Sequence, residues 1–299
     1  MRKEKYMKIL LDTDIGGDLD DALALAYLLK QPQCELLGIT TVGGESDKRA
    51  ALASALCHAA GRVEVPIHVG ASAPLRVPER QPHAYQSAAL TDQWPHQTFD
   101  KRNTALAFLR DTIRAHPGEI TLLTIGPLTN IGLLFALAPD IPALLKGLMI
   151  VGGCFSAKEH DEEWNIVCDP HAAAQVFAAP IELTSVGFDV TGQCRLDAEE
   201  CRRRFTQAGG PFTFVAAMAE VFFRAEAPEV IFHDPLAAAL LFEPSLCQTT
   251  VQRIAVDLRN ERMLGRTRPV DEAAAKPHHV AHSVEVAKFF AHYFAIVGG

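Results

Sequence analysis

The fold is indicated most directly by residues 8–25, which read KILLDTDIGGDLDDALAL. A short apolar run, 8–11, leads into a turn rich in aspartate and glycine. An apolar segment, 22–29, follows the turn and ends before Pro32. This order predicts a buried strand, a tight polar turn and a helix.

The rest of the chain repeats the alternation of short apolar runs and helical patterns. Strands are predicted at 8–11, 36–42, 67–69, 120–125, 148–151, 181–186 and 254–258. Helices are predicted at 22–29, 47–60, 104–115, 128–138, 170–178, 212–224, 235–242 and 284–296. Near-continuous apolar strands separated by helices are typical of a parallel sheet covered on both faces. We therefore expect an α/β fold with one domain over 1–299, built as an open, mostly parallel, Rossmann-like sheet with helices on both faces.

Two irregular stretches interrupt this rhythm. Residues 76–103 are polar and rich in Pro and Gln, and residues 259–279 are similarly irregular near the end of the chain. Loops of this length in compact α/β domains usually carry function. Both stretches are predicted to be mobile loops beside the active site.

Composition narrows the class of partner. The 299 residues carry 28 basic and 36 acidic side chains, for a formal net charge of −8. This balance argues against nucleic acid or an anionic membrane as partner and favours a small molecule or a cation. The seven cysteines include no C-x-x-C pair, which is typical of a reducing compartment. With neither a signal-peptide pattern nor an apolar stretch of membrane length, the expected location is the cytoplasm.

The predicted strand ends place polar residues at one edge. Ligands of open parallel sheets bind at the carboxyl ends of the strands, so we expect the active site there. The stretches that follow four predicted strands are rich in glycine, acids and amides: 12–21, 43–45, 126–130, 152–153 and, a little further on from the last of these, 163–165.

The aspartate turn is the most informative of these stretches. Five aspartates lie within residues 12–21 and repel one another when all are ionised. The repulsion is removed if a cation neutralises their charge, if raised pKa values keep some of them protonated, or if they are fully exposed to solvent. Hard oxygen ligands suit Ca²⁺ or Mg²⁺ rather than zinc. Helix capping would account for one or two of the five. An EF-hand is excluded, because the twelfth loop position would be Leu23 or Leu25. The best distant partner is the pair His233-Asp234.

Taken together, these motifs resemble the calcium-dependent inosine-uridine-type nucleoside N-ribohydrolases. The aspartate turn running into ALAL at 22–25 is the family's fingerprint. GPLTN at 126–130, VGG at 151–153, EWN at 163–165, FDVT at 188–191 and HDP at 233–235 follow in the family's order. The resemblance covers nearly the whole chain.

This resemblance implies a ribonucleoside substrate, a Ca²⁺ cofactor and a homodimer or homotetramer. Asp14 would bind calcium and act as general base toward the attacking, calcium-bound water. The remaining calcium ligands would be Asp21, Asp234 and the Thr129 carbonyl. The ribose contacts would be Asp20, Glu163 and Asn165. His233 would protonate the leaving base. Two further substrate contacts are predicted: Trp164, by stacking on the base, and His83, in the first loop.

The chain departs from the family pattern in two motifs. The aspartate turn is two residues longer than the commonest form, with the extra pair placed at Gly17-Asp18, so Asp18 is an alternative to Asp20 for the ribose role and a further candidate for a metal role. Glu45 stands where the family usually has asparagine.

Other interpretations of these motifs stay open. The fold would also suit a non-catalytic nucleoside-binding protein, and D-T-D at 12–14 would suit a haloacid-dehalogenase-like phosphatase. The histidines His278, His279 and His282 are predicted to lie in a solvated loop rather than at a metal.

Overall fold

A computed structural model describes residues 6–155, 162–225, 228–259, 261–271 and 277–298. The strands in these ranges are β1 (Met7–Thr13), β2 (Cys34–Thr41), β3 (Ile67–Val69), β4 (Ile120–Thr124), β5 (Gly147–Val151), β6 (Leu183–Val186), β7 (Arg195–Asp197), β8 (Glu229–Ile231), β9 (Cys247–Gln252), β10 (Ile254–Val256), β11 (Thr267–Pro269) and β12 (His278–Val284). The helices are α1 (Asp20–Lys30), α2 (Ser46–Ala59), α3 (Ala105–Ala115), α4 (Thr129–Leu137), α5 (Ile141–Leu144), α6 (Trp164–Cys168), α7 (Pro170–Phe177), α8 (Phe188–Thr191), α9 (Ala198–Ala208), α10 (Phe212–Ala225), α11 (His233–Leu240) and α12 (Val286–Val297).

Among the described residues, eight strands form one sheet in the order β3-β2-β1-β4-β5-β6-β12-β9. Neighbouring strands run parallel from β3 through β12, and only β9 pairs antiparallel, at the edge. Two small antiparallel pairs, β7 with β8 and β10 with β11, lie apart from it. The predicted α/β fold with a mostly parallel sheet is confirmed.

Helices cover both faces of the sheet, which explains why its central strands are so apolar. Every residue of β4 is buried, and so is every residue of α1 except Lys30. Helix α3 instead buries one stripe, Ala105, Leu109 and Ile113, at the spacing of an amphipathic surface helix.

The last helix packs directly on the first. The ring of Tyr293 in α12 stacks on Tyr27 of α1, with 5.5 Å between the ring centroids. The Tyr293 hydroxyl donates a hydrogen bond of 3.0 Å to the Leu23 carbonyl. The two ends of the chain therefore share one part of the core.

The carboxyl-terminal region differs from its prediction. Residues 254–258 were expected to form a strand of the main sheet, but β10 lies in a small separate sheet and ends at Val256. The main sheet ends instead in β12 and the edge strand β9. Neither strand was predicted, because their sequences are polar.

The predicted solvated loop at His278, His279 and His282 is wrong, because these residues lie in β12. His278 is fully buried: its Nδ1 accepts from the Ile254 amide at 3.0 Å, and its Nε2 lies 3.1 Å from the Phe177 carbonyl. Backbone groups rather than water or a metal therefore satisfy this imidazole.

The two predicted loops differ in their content. Residues 76–103 are irregular apart from a short 3₁₀ helix at Tyr85–Ala89. Within 259–279 the chain forms β11 and begins β12, whereas residues 260 and 272–276 lie outside the described residues. The mobility of both segments stays a prediction. None of the described helices has the length and apolar character needed to span a membrane.

Candidate active site

A cleft of about 670 Å³ opens at the carboxyl edge of the sheet. Its walls come from the aspartate turn, the ends of β4 and β5, helices α6, α8 and α11, and part of the 76–103 segment. The location agrees with the general rule for parallel sheets.

The aspartate turn joins β1 to α1 and depends on its glycines. Gly16 has φ +109°, a conformation that side chains rarely adopt, and a Cβ there would lie 2.6 Å from Leu52. A Cβ on Gly17 would overlap the side chain of Gln81. The Thr13 hydroxyl donates to Asp21 and fixes that carboxylate at the start of α1. The close packing of this turn therefore requires glycine at positions 16 and 17.

Three buried carboxylates meet at the end of this turn. Asp20 and Asp21 in α1 and Asp234 in α11 bring one oxygen each within 4.8 Å of one another. Burial, reinforced by repulsion from neighbouring aspartates, raises the pKa of each carboxyl group well above its usual range. Carboxylate oxygens are hard ligands, and three of them this close together suit a divalent cation such as calcium or magnesium, whose charge would neutralise theirs.

This cluster overlaps the predicted metal ligands only in part. Asp21 and Asp234 are common to both, whereas Asp20 was predicted as a ribose contact. Asp14 lines the same cleft, and its carboxyl pKa is raised to about 6 by burial, an effect that the nearby Arg49 opposes.

Thr129 is placed differently from the prediction. It is buried in the first turn of α4, its hydroxyl donates to Asp169 at 2.8 Å, and it is absent from the residues that line the cleft. Ile125, at the end of β4, lines the cleft instead.

Glu163 and Asn165 are held rigidly in the cleft wall. The Glu163 carboxylate caps α6 by accepting from the amides of Asn165 and Ile166, each at 3.0 Å, and it also accepts from Gly153. Burial raises its carboxyl pKa to about 7, and these amides oppose the rise. The side-chain amide of Asn165 donates to the carbonyls that end β4 and β5, at 2.9 and 3.0 Å.

His233 stands in the cleft at the start of α11. Its Nδ1 lies 2.7 Å from the Thr191 hydroxyl, and its ring stacks on Phe188 with centroids 5.7 Å apart. Burial, assisted by the charge of Arg195, lowers the pKa of His233 to about 4. The imidazole is therefore neutral at pH 7.

The two predicted base contacts differ in position. Trp164 lines the cleft with its ring half exposed. His83 is exposed outside the cleft, with Nδ1 3.7 Å from Glu45.

Glu45 lies outside the cleft lining and anchors the 76–103 segment by accepting from the Ala84 amide at 3.0 Å. Asp18 lines the cleft beside Asp20.

The sequence analysis missed several residues of the cleft wall and of its support. They are Gln81, Tyr85 and, behind the wall, Arg49. Arginine in an otherwise alanine- and leucine-rich helix was the one visible signal for Arg49, and the others carry no local pattern. Phe188 and Thr191 also line the cleft; they belong to the FDVT motif quoted above, which was given no role.

Comparisons with known proteins agree with this geometry. The sequence model of the inosine-uridine preferring nucleoside hydrolases matches residues 9–291. The chain is 32% identical to the non-specific ribonucleoside hydrolase RihC of Escherichia fergusonii over 296 residues, covering 94% of each chain. It is 29% identical to uridine nucleosidase 1 of Arabidopsis thaliana over 256 residues, covering 81% of this chain and 76% of that one.

Solved structures show the same fold. The purine-preferring ribonucleoside hydrolase from Gardnerella vaginalis superposes with a TM-score of 0.84 at 25% identity, covering 98% of both chains. The fold is therefore that of the nucleoside hydrolases. The chain belongs to the inosine-uridine preferring nucleoside hydrolase family, which confirms the predicted class of enzyme and disfavours the phosphatase interpretation.

Proposed function

We propose that this chain hydrolyses the N-glycosidic bond of ribonucleosides in the cleft, giving ribose and a free base, with Ca²⁺ as cofactor. The observation that carries the proposal is the meeting of buried carboxylates and an imidazole in one cleft. Asp14, Asp21 and Asp234 line it together with Glu163 and His233.

The cation is held by Asp21 and Asp234, with Asp14 and Asp20 as the adjoining carboxylates. Support comes from the buried oxygens of Asp20, Asp21 and Asp234, which lie within 4.8 Å of one another. Thr129 is left out of the proposed site because it does not line the cleft. When bound, the cation supplies a positive charge that orients a water molecule and lowers its pKa.

Asp14 accepts the proton of the attacking water. Its carboxylate lies at the end of β1 in the cleft, where burial gives it a pKa of about 6, so it is ionised and still basic at neutral pH. Breaking the bond leaves positive charge on the ribose, which the surrounding carboxylates stabilise.

Asp20, Glu163 and Asn165 bind the ribose hydroxyls. Glu163 and Asn165 are fixed by hydrogen bonds to backbone amides and carbonyls, so they are already oriented before substrate arrives. Preorganised polar groups of this kind discriminate strongly against a substrate that lacks their partner hydroxyl.

The leaving base lies toward His233, with Trp164 as a stacking surface. A neutral imidazole whose Nδ1 accepts from the Thr191 hydroxyl carries its proton on Nε2. His233 then donates a hydrogen bond from Nε2 to the departing base, which stabilises the negative charge that the base acquires as the bond breaks.

The proposal is tested by measuring base release from inosine, uridine, cytidine, adenosine and guanosine, with Ca²⁺ and with a chelator. Turnover that the chelator abolishes and Ca²⁺ restores is the expected result. Tight binding of a ribonucleoside without turnover would establish the non-catalytic alternative instead. A homodimer or homotetramer and a cytoplasmic location remain predictions, and light scattering of the purified protein measures the first.

A further inference from the structure

Arg49 is a fully buried cation behind the aspartate turn. It lies in the first turns of α2, and its exposed fraction is 0%. Its Nε donates to the Gly44 carbonyl at 2.9 Å, and one terminal nitrogen donates to the carbonyls of Asp14 and Ile15. The other donates to the Gln81 carbonyl at 3.1 Å.

These four acceptors belong to three separate parts of the chain. Gly44 follows β2, Asp14 and Ile15 begin the aspartate turn, and Gln81 lies in the 76–103 segment. Within the described residues, all hydrogen bonds found for this side chain go to backbone carbonyls. A planar guanidinium offers five donors in a rigid fork, whereas a lysine ammonium offers three from a single point. Arginine is therefore the side chain that can join all three segments.

The segment that Arg49 reaches is docked on the aspartate turn by further contacts. Gln86 is fully buried and donates to the turn twice, from its backbone to Gly16 and from its side chain to Gly17, each at 3.1 Å. Gly44 packs so closely on Pro82 that a Cβ there would lie 2.4 Å from the proline Cα. Gln81 then extends over the turn to the Trp164 indole.

We propose that Arg49 is a positioning residue that fixes the backbone at Asp14 and ties it to the Gln81 side of the cleft. The cation site and this wall of the cleft are thereby built as one unit. The cation-binding part of this inference rests on the proposed function, whereas the link between Arg49 and the cleft wall does not.

Position and charge have opposite effects on cation binding, which makes the inference testable. Arg49 carries a positive charge close to Asp14, so its charge alone weakens cation binding, and removing that charge alone strengthens it. Loss of the four hydrogen bonds displaces the carboxylates and weakens cation binding. The direction of the change in calcium affinity therefore distinguishes a positioning role of Arg49 from an effect of its charge.

The experiment compares Arg49→Lys, which keeps the charge, with Arg49→Met, which removes both charge and hydrogen bonds. The control is Arg203→Met, because Arg203 pairs with Glu200 on the exposed surface of α9. Calcium affinity is measured by titration calorimetry on the full chain, at a temperature where circular dichroism shows each variant folded. Both Arg49 variants are expected to bind Ca²⁺ at least about tenfold more weakly, the scale typical of losing a group that supports metal ligands.

Two calorimetric outcomes would overturn the inference. Tighter calcium binding in Arg49→Met would show that Arg49 acts through its charge. Unchanged affinity in both folded variants, with only a lower melting temperature, would show a role in stability alone.

A second measurement follows the cleft wall without any cation. In a Trp94→Phe background, Trp164 is the remaining tryptophan, and the buried Trp94 indole N–H has no hydrogen-bond partner among the described residues to lose. Acrylamide quenching of Trp164 is expected to increase in both Arg49 variants, because its partner Gln81 is released. Unchanged quenching would overturn the link to the wall. If the unmodified protein binds no calcium, the cofactor proposal fails, and this measurement alone decides the role of Arg49.

Discussion

The indole Nε1 of Trp164 donates a hydrogen bond of 3.1 Å to the side-chain oxygen of Gln81, and both side chains line the cleft. This bond joins helix α6 to the 76–103 segment. It holds the indole in one orientation, so an aromatic face is ready for a planar base before substrate enters.

Replacement of Trp164 should distinguish stacking of the base on the indole from the hydrogen bond between the indole and Gln81. Trp164→Phe keeps an aromatic face but loses the hydrogen bond, whereas Trp164→Ala loses both. Stacking of a base on an aromatic side chain contributes about 1–3 kcal/mol, so alanine should raise KM by roughly ten- to a hundredfold and phenylalanine much less. The check is KM for uridine and inosine in both variants. Equal increases would show that this hydrogen bond matters and the aromatic face does not.

Asp21→Asn should lower calcium affinity, because it removes a charge from the three-carboxylate cluster. The expected loss is at least about tenfold, since changes to groups that merely support metal ligands already cost that much. Titration calorimetry measures it, with Asp18→Asn as the control, because Asp18 lines the cleft outside the cluster. An equal loss in both variants would mean that only the total negative charge of the cleft matters.

Ribonucleosides should be hydrolysed much faster than 2′-deoxyribonucleosides. Without the 2′-hydroxyl, the fixed polar groups of Asp20, Glu163 and Asn165 are left unpaired, which costs on the order of 10⁴ in rate. Uridine and deoxyuridine are compared by kcat/KM at saturating Ca²⁺. Similar values for the two substrates would remove these residues from the ribose site.

His233→Ala should slow natural nucleosides by about 10²–10³, the scale of losing one hydrogen-bond donor to a developing negative charge. The loss should shrink for p-nitrophenyl riboside, whose leaving group departs without protonation. Measuring kcat for both substrates at saturating Ca²⁺ tests this difference. A histidine that only supports Asp234 would instead weaken calcium binding and slow both substrates alike.

The contribution of His278 to stability should be lost in acid. Burial lowers its pKa below the usual 6.5, so the unfolded chain takes up a proton more readily than the folded chain. This imidazole therefore contributes stability above pH 6.5 that is lost as the pH falls through its folded pKa. Between pH 8 and pH 5, the urea unfolding midpoint of the unmodified protein should fall relative to that of His278→Gln, which keeps polar groups but cannot titrate. An unchanged pH dependence in the variant would assign the acid sensitivity to other groups.

The sequence predicted the central sheet well where strands are buried on both faces. The apolar runs that became β1, β4 and β5 lie between two helical layers, so burial itself dictates their composition. Strand β9 reads CQTTVQ and is exposed along most of its length, so its pairing with β12 left no hydrophobic pattern. Edge strands of this kind are specified by long-range pairing rather than by local sequence.

The candidate site could be predicted where its functional residues lie next to one another in the sequence. The aspartate turn, Glu163-Trp164-Asn165 and His233-Asp234 are short motifs at strand or helix ends, and the structure brings members of all three into one cleft. The support for the cleft was not predictable in this way. Arg49 and Gln81 lie 32 positions apart and meet through a backbone carbonyl, a contact that any residue type at position 81 offers.

The packing of Tyr293 on Tyr27 has a consequence for biosynthesis. Helix α1, which begins with Asp20 and Asp21, is synthesised before α11, which carries Asp234, and before α12. Domains fold as units during synthesis, so the buried surface of α1 stays uncovered until those two helices have emerged. A nascent chain released before residue 286 lacks α12 and would expose that apolar helix to chaperones and proteases. We therefore expect such a chain to be degraded rather than to fold.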